Sequence, residues 1–280
     1  MMYVIAGFAI WALGWLLNVY LANGKSSDHW AMNIGIPLIF GLTILLVWEC
    51  FVIGFEVNPV FLPRPSDIIV RMANEVPRLW ADFFQTIIKG ALTGYIIGGL
   101  AAFAIAVLAD RSEFLTRGVL PVGSFMAALP IVGIAPIFVK WFGSDWESKA
   151  AVVAVMVFFP ILVNAVAGLR DTTSMQRDLM HTYGAGYWPT LFKLRIPAAL
   201  PFIFNGLKIA TTLALIGAIV AEFFGSPTVG MGFRISTSFG QLALDMVWAE
   251  IVIAAIAGSA FYGIVTLIEK GVTFWHPSQR

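Results

Sequence analysis

The sequence predicts an all-α, polytopic membrane protein, and three observations carry that prediction. Hydrophobic residues make up 59% of the 280 and charged residues only 12%. Mean hydropathy is +0.87. The apolar residues also gather into runs of about 20, the length that crosses the hydrocarbon core of a bilayer as a helix. A soluble fold and a disordered chain are both excluded by this composition. A net charge of +1, with the basic residues scattered between apolar runs, points to no nucleic-acid partner. The single cysteine, Cys50, lies inside an apolar run, so no internal disulfide forms and no metal cluster is expected.

About seven runs qualify as spans: 3–22, 34–54, 86–109, 118–142, 149–169, 200–224 and 247–268. The first has no basic start, exceeds the length of a signal core and holds Trp11 and Trp15, so it reads as a retained span. Residues 1–55 thus form two N-terminal membrane helices. In the following segment, 56–85, Ile68, Ile69, Met72, Val76, Leu79 and Phe83 recur at helical spacing opposite Arg71, Glu75, Arg78 and Asp82. That pattern reads as an extracytoplasmic interfacial helix, with Pro63 and Pro65 at its start. Residues 86–268 form the transmembrane core, interrupted by a polar loop at 170–200, and 269–280 form a tail.

Basic residues favour the cytoplasmic side of short loops. With loop 170–200 inside, nine Lys and Arg fall on the inner side and seven on the outer side, so the loop and the C-terminus are expected to be cytoplasmic. Within that loop Met175, Leu179 and Tyr183 are spaced by four, on one face of a short helix capped by Thr173 or Ser174. Gly184 is suited to end this helix, because glycine takes positive backbone angles freely. Pro189 suits the first turn of a second helix carrying Leu191, Phe192 and Leu194 with cationic Lys193 and Arg195, and Pro197 and Pro201 are expected to break into the next span. A helix, turn and helix with an uncovered apolar side is the expected result.

At these residues the chain resembles a known family, the permease subunits of bacterial binding-protein-dependent ABC importers. Their cytoplasmic loop runs Glu-Ala-Ala, three residues, Gly, nine residues, Ile, one residue, Leu-Pro. Here Asp178, Leu179 and Met180 stand at the triplet, Gly184 at the glycine, Leu194 at the isoleucine, and Ile196 and Pro197 at the final pair. The spacing matches throughout, while the triplet is diverged. The stretches "FLPRPSDI", "PIVGIAPIFVKWFG", "IPAALPFIFNGLKIA" and "AEFFGSPTVGMGF" look like those of the nitrate, sulfonate and taurine importer subfamily, and the resemblance covers about residues 60–270.

This resemblance implies a type I importer permease fold in a bacterial inner membrane, with five core spans preceded by two more. It implies two copies of an ATP-binding cassette subunit docked at the loop, an extracytoplasmic solute-binding protein, a second permease copy as a homodimer, and membrane lipid around them. This chain would bind no cofactor, ATP being used by the partner subunit. The solute would be a sulfonate, nitrate, or a vitamin precursor such as the thiamine pyrimidine, and the mostly apolar passage leans towards a flat organic solute.

Several stretches imitate other chemistry. "NGKSS" at 23–27 holds the Gly-Lys-Ser of a phosphate loop, but Val19 stands where a further glycine is required and no strand precedes it. "TVGMG" at 228–232 is close to a potassium filter, but Gly225, Ser226 and Pro227 before it read as a turn. Lys208, Glu49 and Glu222 lie near the ends of their spans, as interfacial anchors do. A self-sufficient secondary transporter or channel would show internal repeats and charged midplane residues, and a membrane enzyme would show paired carboxylates or a nucleophile constellation; neither pattern is present.

For the passage itself the sequence points to the span 118–142, with Pro121, Pro130 and Pro136 among Gly123, Ala127, Ala128, Gly133 and Ala135. Proline within a span frees backbone groups that neighbours or a wet cavity must satisfy, and small residues let helices approach. Phe125, Met126, Leu129 and Pro130 are the candidate path residues there, joined by Asn164 in the next span.

Overall fold

The computed structural model describes residues 1–23, 30–127, 129–225 and 228–275. Most of the "NGKSS" stretch, from Gly24 on, lies outside them, as do Ser226, Pro227 and the last five residues. The helices are, in order, α1 (Met2–Ala22), α2 (Trp30–Gly54), α3 (Pro65–Asn74), α4 (Val76–Phe83), α5 (Thr93–Asp110), α6 (Glu113–Ala127), α7 (Ile131–Phe142), α8 (Trp146–Arg170), α9 (Ser174–Thr182), α10 (Tyr187–Thr190), α11 (Ile196–Glu222), α12 (Met231–Gly240) and α13 (Leu244–Val272). No strand occurs among the described residues. Two π-helical segments, Phe84–Leu92 and Leu191–Arg195, join α4 to α5 and α10 to α11.

Six of the resulting helices are long and apolar enough to cross a membrane, where the sequence suggested about seven. The difference lies at 118–142, which forms two shorter helices instead of one kinked span. Pro130 takes an extended conformation as the cap of α7 (φ −69°, ψ 118°), and the residue before a proline is disfavoured in helix, so α6 stops at Ala127. Pro121 and Pro136 remain inside α6 and α7. The reverse holds further on: Pro197 and Pro201 do not break the chain, because Tyr187–Glu222 is one continuous helix. The π turn supplies the reason. The Ile196 amide bonds back to the Leu191 carbonyl, five residues earlier, so the extra residue is absorbed just ahead of Pro197, at the start of α11.

The chain divides into two compact parts, residues 1–77 with 235–251 and residues 78–234 with 252–280. In the first, α1 and α2 lie antiparallel: Gly7 approaches Phe51, Gly14 approaches Thr43 and Gly54 approaches Val4. Most of the exposed side chains of this pair are apolar, as lipid contact requires. Glu49 is no free anchor; its carboxylate accepts from the Ser66 amide and hydroxyl (3.0 and 2.7 Å) in the first turn of α3. Arg71 of α3 pairs with Asp245 at 2.8 Å, and Trp48 packs on Trp248 with ring centroids 4.8 Å apart.

The second part is built around α8. Val152, Val153, Val157, Ile161, Leu162, Ala165 and Leu169 of this helix are buried against α5 on one side and α11 on the other. Its start is capped by Asp145, whose carboxyl is held below the usual carboxylate range by the Trp146 amide and then by the Gln85 side chain. Small residues set the crossing with α5. A methyl on Gly94 would lie 2.6 Å from Val153 Cβ, and one on Gly98 would run into Val157 and the Ala154 carbonyl. Gly94, Gly98, Ala102 and Ala106 thus form a stripe of every fourth residue, which lets the backbones touch where lipid offers no hydrophobic drive to associate.

Replacing Gly98 by leucine is expected to cost about 3 kcal/mol by overpacking against backbone, lowering the apparent Tm in detergent by roughly 10 °C. Gly118→Ala, in open space on α6, should leave Tm nearly unchanged. Differential scanning fluorimetry on both variants checks this.

Candidate functional site

The loop at 170–200 folds as two arms about a tight turn. The first arm, α9, starts with a capping box: the Thr173 hydroxyl accepts from the Gln176 amide at 3.2 Å, and the Gln176 side chain accepts from the Thr173 amide at 2.9 Å. It ends in a Schellman turn. Gly184 takes φ +68° and donates to the His181 carbonyl at 2.9 Å, while Ala185 donates to Met180 at 3.0 Å. Asp178 and Leu179 are exposed and Met180 is half-buried. The face expected from the spacing is open: Met175, Leu179 and Tyr183 are 80%, 56% and 82% exposed.

The second arm is fastened to the ends of α5 and α8. Leu191 is fully buried, and Leu194, Ile196 and Pro197 are half-buried beside it. Arg195 meets Asp110 of α5 at 2.6 Å and also donates from Nε to the Leu169 carbonyl of α8 at 3.2 Å. The Tyr187 hydroxyl donates to the same Asp110 carboxylate at 3.1 Å. Arg111 lies over the Tyr187 and Trp188 rings, 4.4 and 4.5 Å from their centroids. Three helices therefore converge on one buried carboxylate beneath the exposed face of α9.

Of the path residues expected from the sequence, Met126 and Leu129 line a cavity of about 100 Å³ with Ile131, Ile134, Val152, Met156, Pro160 and Leu213. Phe125 is 68% exposed and Pro130 is exposed; neither lines it. Asn164 lies one turn beyond Pro160, donating to the Pro160 carbonyl at 2.8 Å and accepting from Asn205 of α11 at 3.1 Å.

Residues 94–274 match the family described as binding-protein-dependent transport system inner membrane component. The chain belongs to this family. Among curated relatives, the formylaminopyrimidine transport permease protein of Halalkalibacterium halodurans is 30% identical over 87% of this chain and 96% of its own length. The riboflavin transport system permease protein of Chloroflexus aurantiacus is 27% identical over 88% and 91%. The taurine transport system permease protein of Escherichia coli is 27% identical over 93% and 98%. The protein is thus a multi-pass permease subunit of an ABC importer, a transport component with no catalytic activity of its own.

Two groups of residues in the permease escaped the sequence reading. Asp110 ends an apolar run, and nothing in its spacing announces that Arg195, 85 residues later, would pair with it. The second group corrects the amphipathic reading of 56–85, which put Asp82 on a polar surface. Asp82 is wholly buried, accepting from the Gly230 amide at 2.7 Å and pairing with Arg234 at 2.8 Å. Glu222 is likewise no interfacial anchor: it accepts from the Thr86 hydroxyl at 2.8 Å and from the Gly232 amide at 2.7 Å. These acids satisfy the orphan amides at the start of α12, so "TVGMG" turns its N–H groups inward instead of forming a carbonyl filter. Lys149, also buried, donates to the Ser144 and Gly225 carbonyls. The π segment explains the inward turn of Asp82 and Thr86: it carries more residues per turn, so every fourth residue stays on one face from Asp82 through Gly90 to Gly98. Lys208 does not snorkel; it pairs with Glu269 at 2.8 Å.

Asp110→Ala is expected to destabilise the permease by about 3–5 kcal/mol, because it strands the Arg195 guanidinium without its partner. The double change Asp110→Leu with Arg195→Met should recover most of that loss. Thermal unfolding of the single and double variants gives the comparison.

Proposed function

We propose that loop 170–200 is the cytoplasmic seat of an ATP-binding cassette subunit, through Asp178, Leu179, Met180 and Gly184 on the first arm and Leu194, Ile196 and Pro197 on the second. The observation that carries this reading is the exposed apolar row Met175, Leu179 and Tyr183 on a helix pinned at both ends. Covering each of these side chains is worth about 1.5–3 kcal/mol, enough in sum to hold a partner subunit. The chain binds no cofactor; the partner hydrolyses ATP.

In this reading two permease copies enclose the passage, two ATPase subunits dock inside, and a solute-binding protein delivers its cargo from outside. The protein lies in the bacterial inner membrane with the loop and C-terminus cytoplasmic. Paired or buried cations are poor markers of sidedness; setting aside Lys149, Arg71 and Arg234 on the outer side and Arg195 on the inner leaves four basic residues outside against eight inside, which supports that orientation. ATP-driven closure of the partner pushes on α9. The Asp110–Arg195 contact passes the push to α5, α8 and α11, and the break between α6 and α7 lets Met126 and Leu129 move as a gate, beside Phe125, Pro130 and Asn164.

For the solute, the names of the relatives span a pyrimidine, riboflavin and taurine. A small organic molecule of the vitamin-precursor kind suits the apolar cavity better than nitrate or a sulfonate, since burying a bare anion there would leave its charge unpaired.

Gly184→Pro tests the docking. Proline cannot take φ +68° and removes the amide that closes the Schellman turn. Tagged wild-type chain drawn from its own membranes in gentle detergent should bring an ATPase with it, identified by mass, and the variant should bring at least about tenfold less, a loss of roughly 1.4 kcal/mol in affinity. Equal recovery of the ATPase with both chains would remove this loop from the interface.

A further inference from the structure

Along α11 the residues Asn205, Ile209, Thr212 and Ile216 are exposed in one chain, spaced by three or four on a single face. Two of the four are polar, within a helix otherwise suited to hydrocarbon. Asn205 spends one amide hydrogen on Asn164. Its second N–H and its carbonyl oxygen have no partner among the described residues, and neither has the Thr212 hydroxyl. A lipid-facing surface would leave these groups unsatisfied at several kcal/mol each, so the stripe must meet water or another polar surface.

Position adds to this. Asn164 stands one turn beyond Pro160, which lines the same cavity as Met126 and Leu129, and Leu213, beside Thr212, lines it too. Gly206 presses against the Asn164 side chain, 2.9 Å from a methyl it does not carry, which fixes the two amides in register. The Asn164–Asn205 pair therefore lies one turn from the cavity lining, on the side towards the loop end of α8.

We propose that the Asn164–Asn205 pair is a hydrogen-bonding rung of the passage that takes an uncharged solute by a side-by-side donor and acceptor edge, as an aminopyrimidine or a flavin ring presents. This rests on the importer reading above and adds the residues and the substrate class to it. Asn205 offers one N–H and one C=O, which complement such an edge directly. An anion would need an unpaired cation instead. Lys208, the neighbouring cation on α11, is already held by Glu269 at 2.8 Å.

The test uses the full chain in inside-out membrane vesicles with Cys50→Ser, which removes the single native thiol. A charged, water-soluble methanethiosulfonate should label Asn205→Cys at least about tenfold faster than Leu100→Cys, an exposed apolar position on α5, since only the former meets water. Millimolar 4-amino-5-hydroxymethyl-2-methylpyrimidine should slow labelling of Ile209→Cys, one turn along the exposed stripe with Asn205 intact, and millimolar taurine should not. Labelling no faster than at Leu100 would place the stripe in lipid and overturn the proposal. Oxidative cross-linking of two Asn205→Cys copies whose free thiols resist the water-soluble reagent would make it a dry dimer contact and overturn it equally. Protection by taurine alone, or by neither probe, would overturn the substrate class. If Asn205→Cys is not recovered in the membrane, aminopyrimidine uptake decides: Asn205→Gln should keep uptake within a few-fold and Asn205→Leu should lose about tenfold, whereas equal uptake overturns the rung. The labelling needs no ATPase, so its outcome is independent of the pull-down that tests the importer reading.

Discussion

The close approach of backbones along α8 is the constraint on which the second part of the molecule depends. In hydrocarbon two apolar helices gain nothing by leaving lipid for each other, so contact must come from packing at short range. Gly94 and Gly98 bring α5 onto α8 and Gly206 brings α11 onto its other side, each with no room for a methyl, and Gly217 adds a close contact with Met156. Gly168, near the loop end of α8, meets Ala199 in the same way. These contacts draw the ends of α5, α8 and α11 together, and only there can one carboxylate, Asp110, serve Arg195 and Tyr187 at once. Placement of the loop follows from glycines 15 Å or more along the helices, on the rise of about 1.5 Å per residue.

Much of this was legible in the chain. Span positions followed from apolar runs, the start of α9 from Thr173, its end from Gly184, and its open face from Met175, Leu179 and Tyr183, because each rests on local chemistry within one turn. Pro65 opened α3 as expected. The misses share a cause in long-range pairing and changes of helical phase. Pro197 reads as a breaker until the π turn before it is known, and Asp82 reads as solvated until the phase shift over Phe84–Leu92 carries it inward. Pro130 was the opposite case, a break mistaken for a kink, since sequence does not show whether a proline's carbonyl partner will be replaced. Asn205 looked unremarkable because its partner, Asn164, lies 41 residues away.

The polar groups of the membrane helices divide by purpose. Asp82, Thr86, Glu222, Arg234 and Lys149 spend their hydrogen-bonding capacity on backbone and on one another, as buried polar groups must. Asn205 does not, and that contrast sets it apart as a group kept available.

The Asp82–Arg234 contact also bears on how the chain is made. Synthesis delivers the acid 152 residues before the base that neutralises it. A lone carboxylate is expensive to carry into hydrocarbon, so the end of α4 must wait at the headgroup level while the four following apolar helical stretches are threaded. Seating this acid is therefore a late event in membrane insertion, completed only when the first turn of α12 arrives with both the guanidinium and the free amides. A nascent chain halted before residue 230 would hold its central helices in place and still lack this closure, an unfinished state open to the quality-control proteases of the membrane.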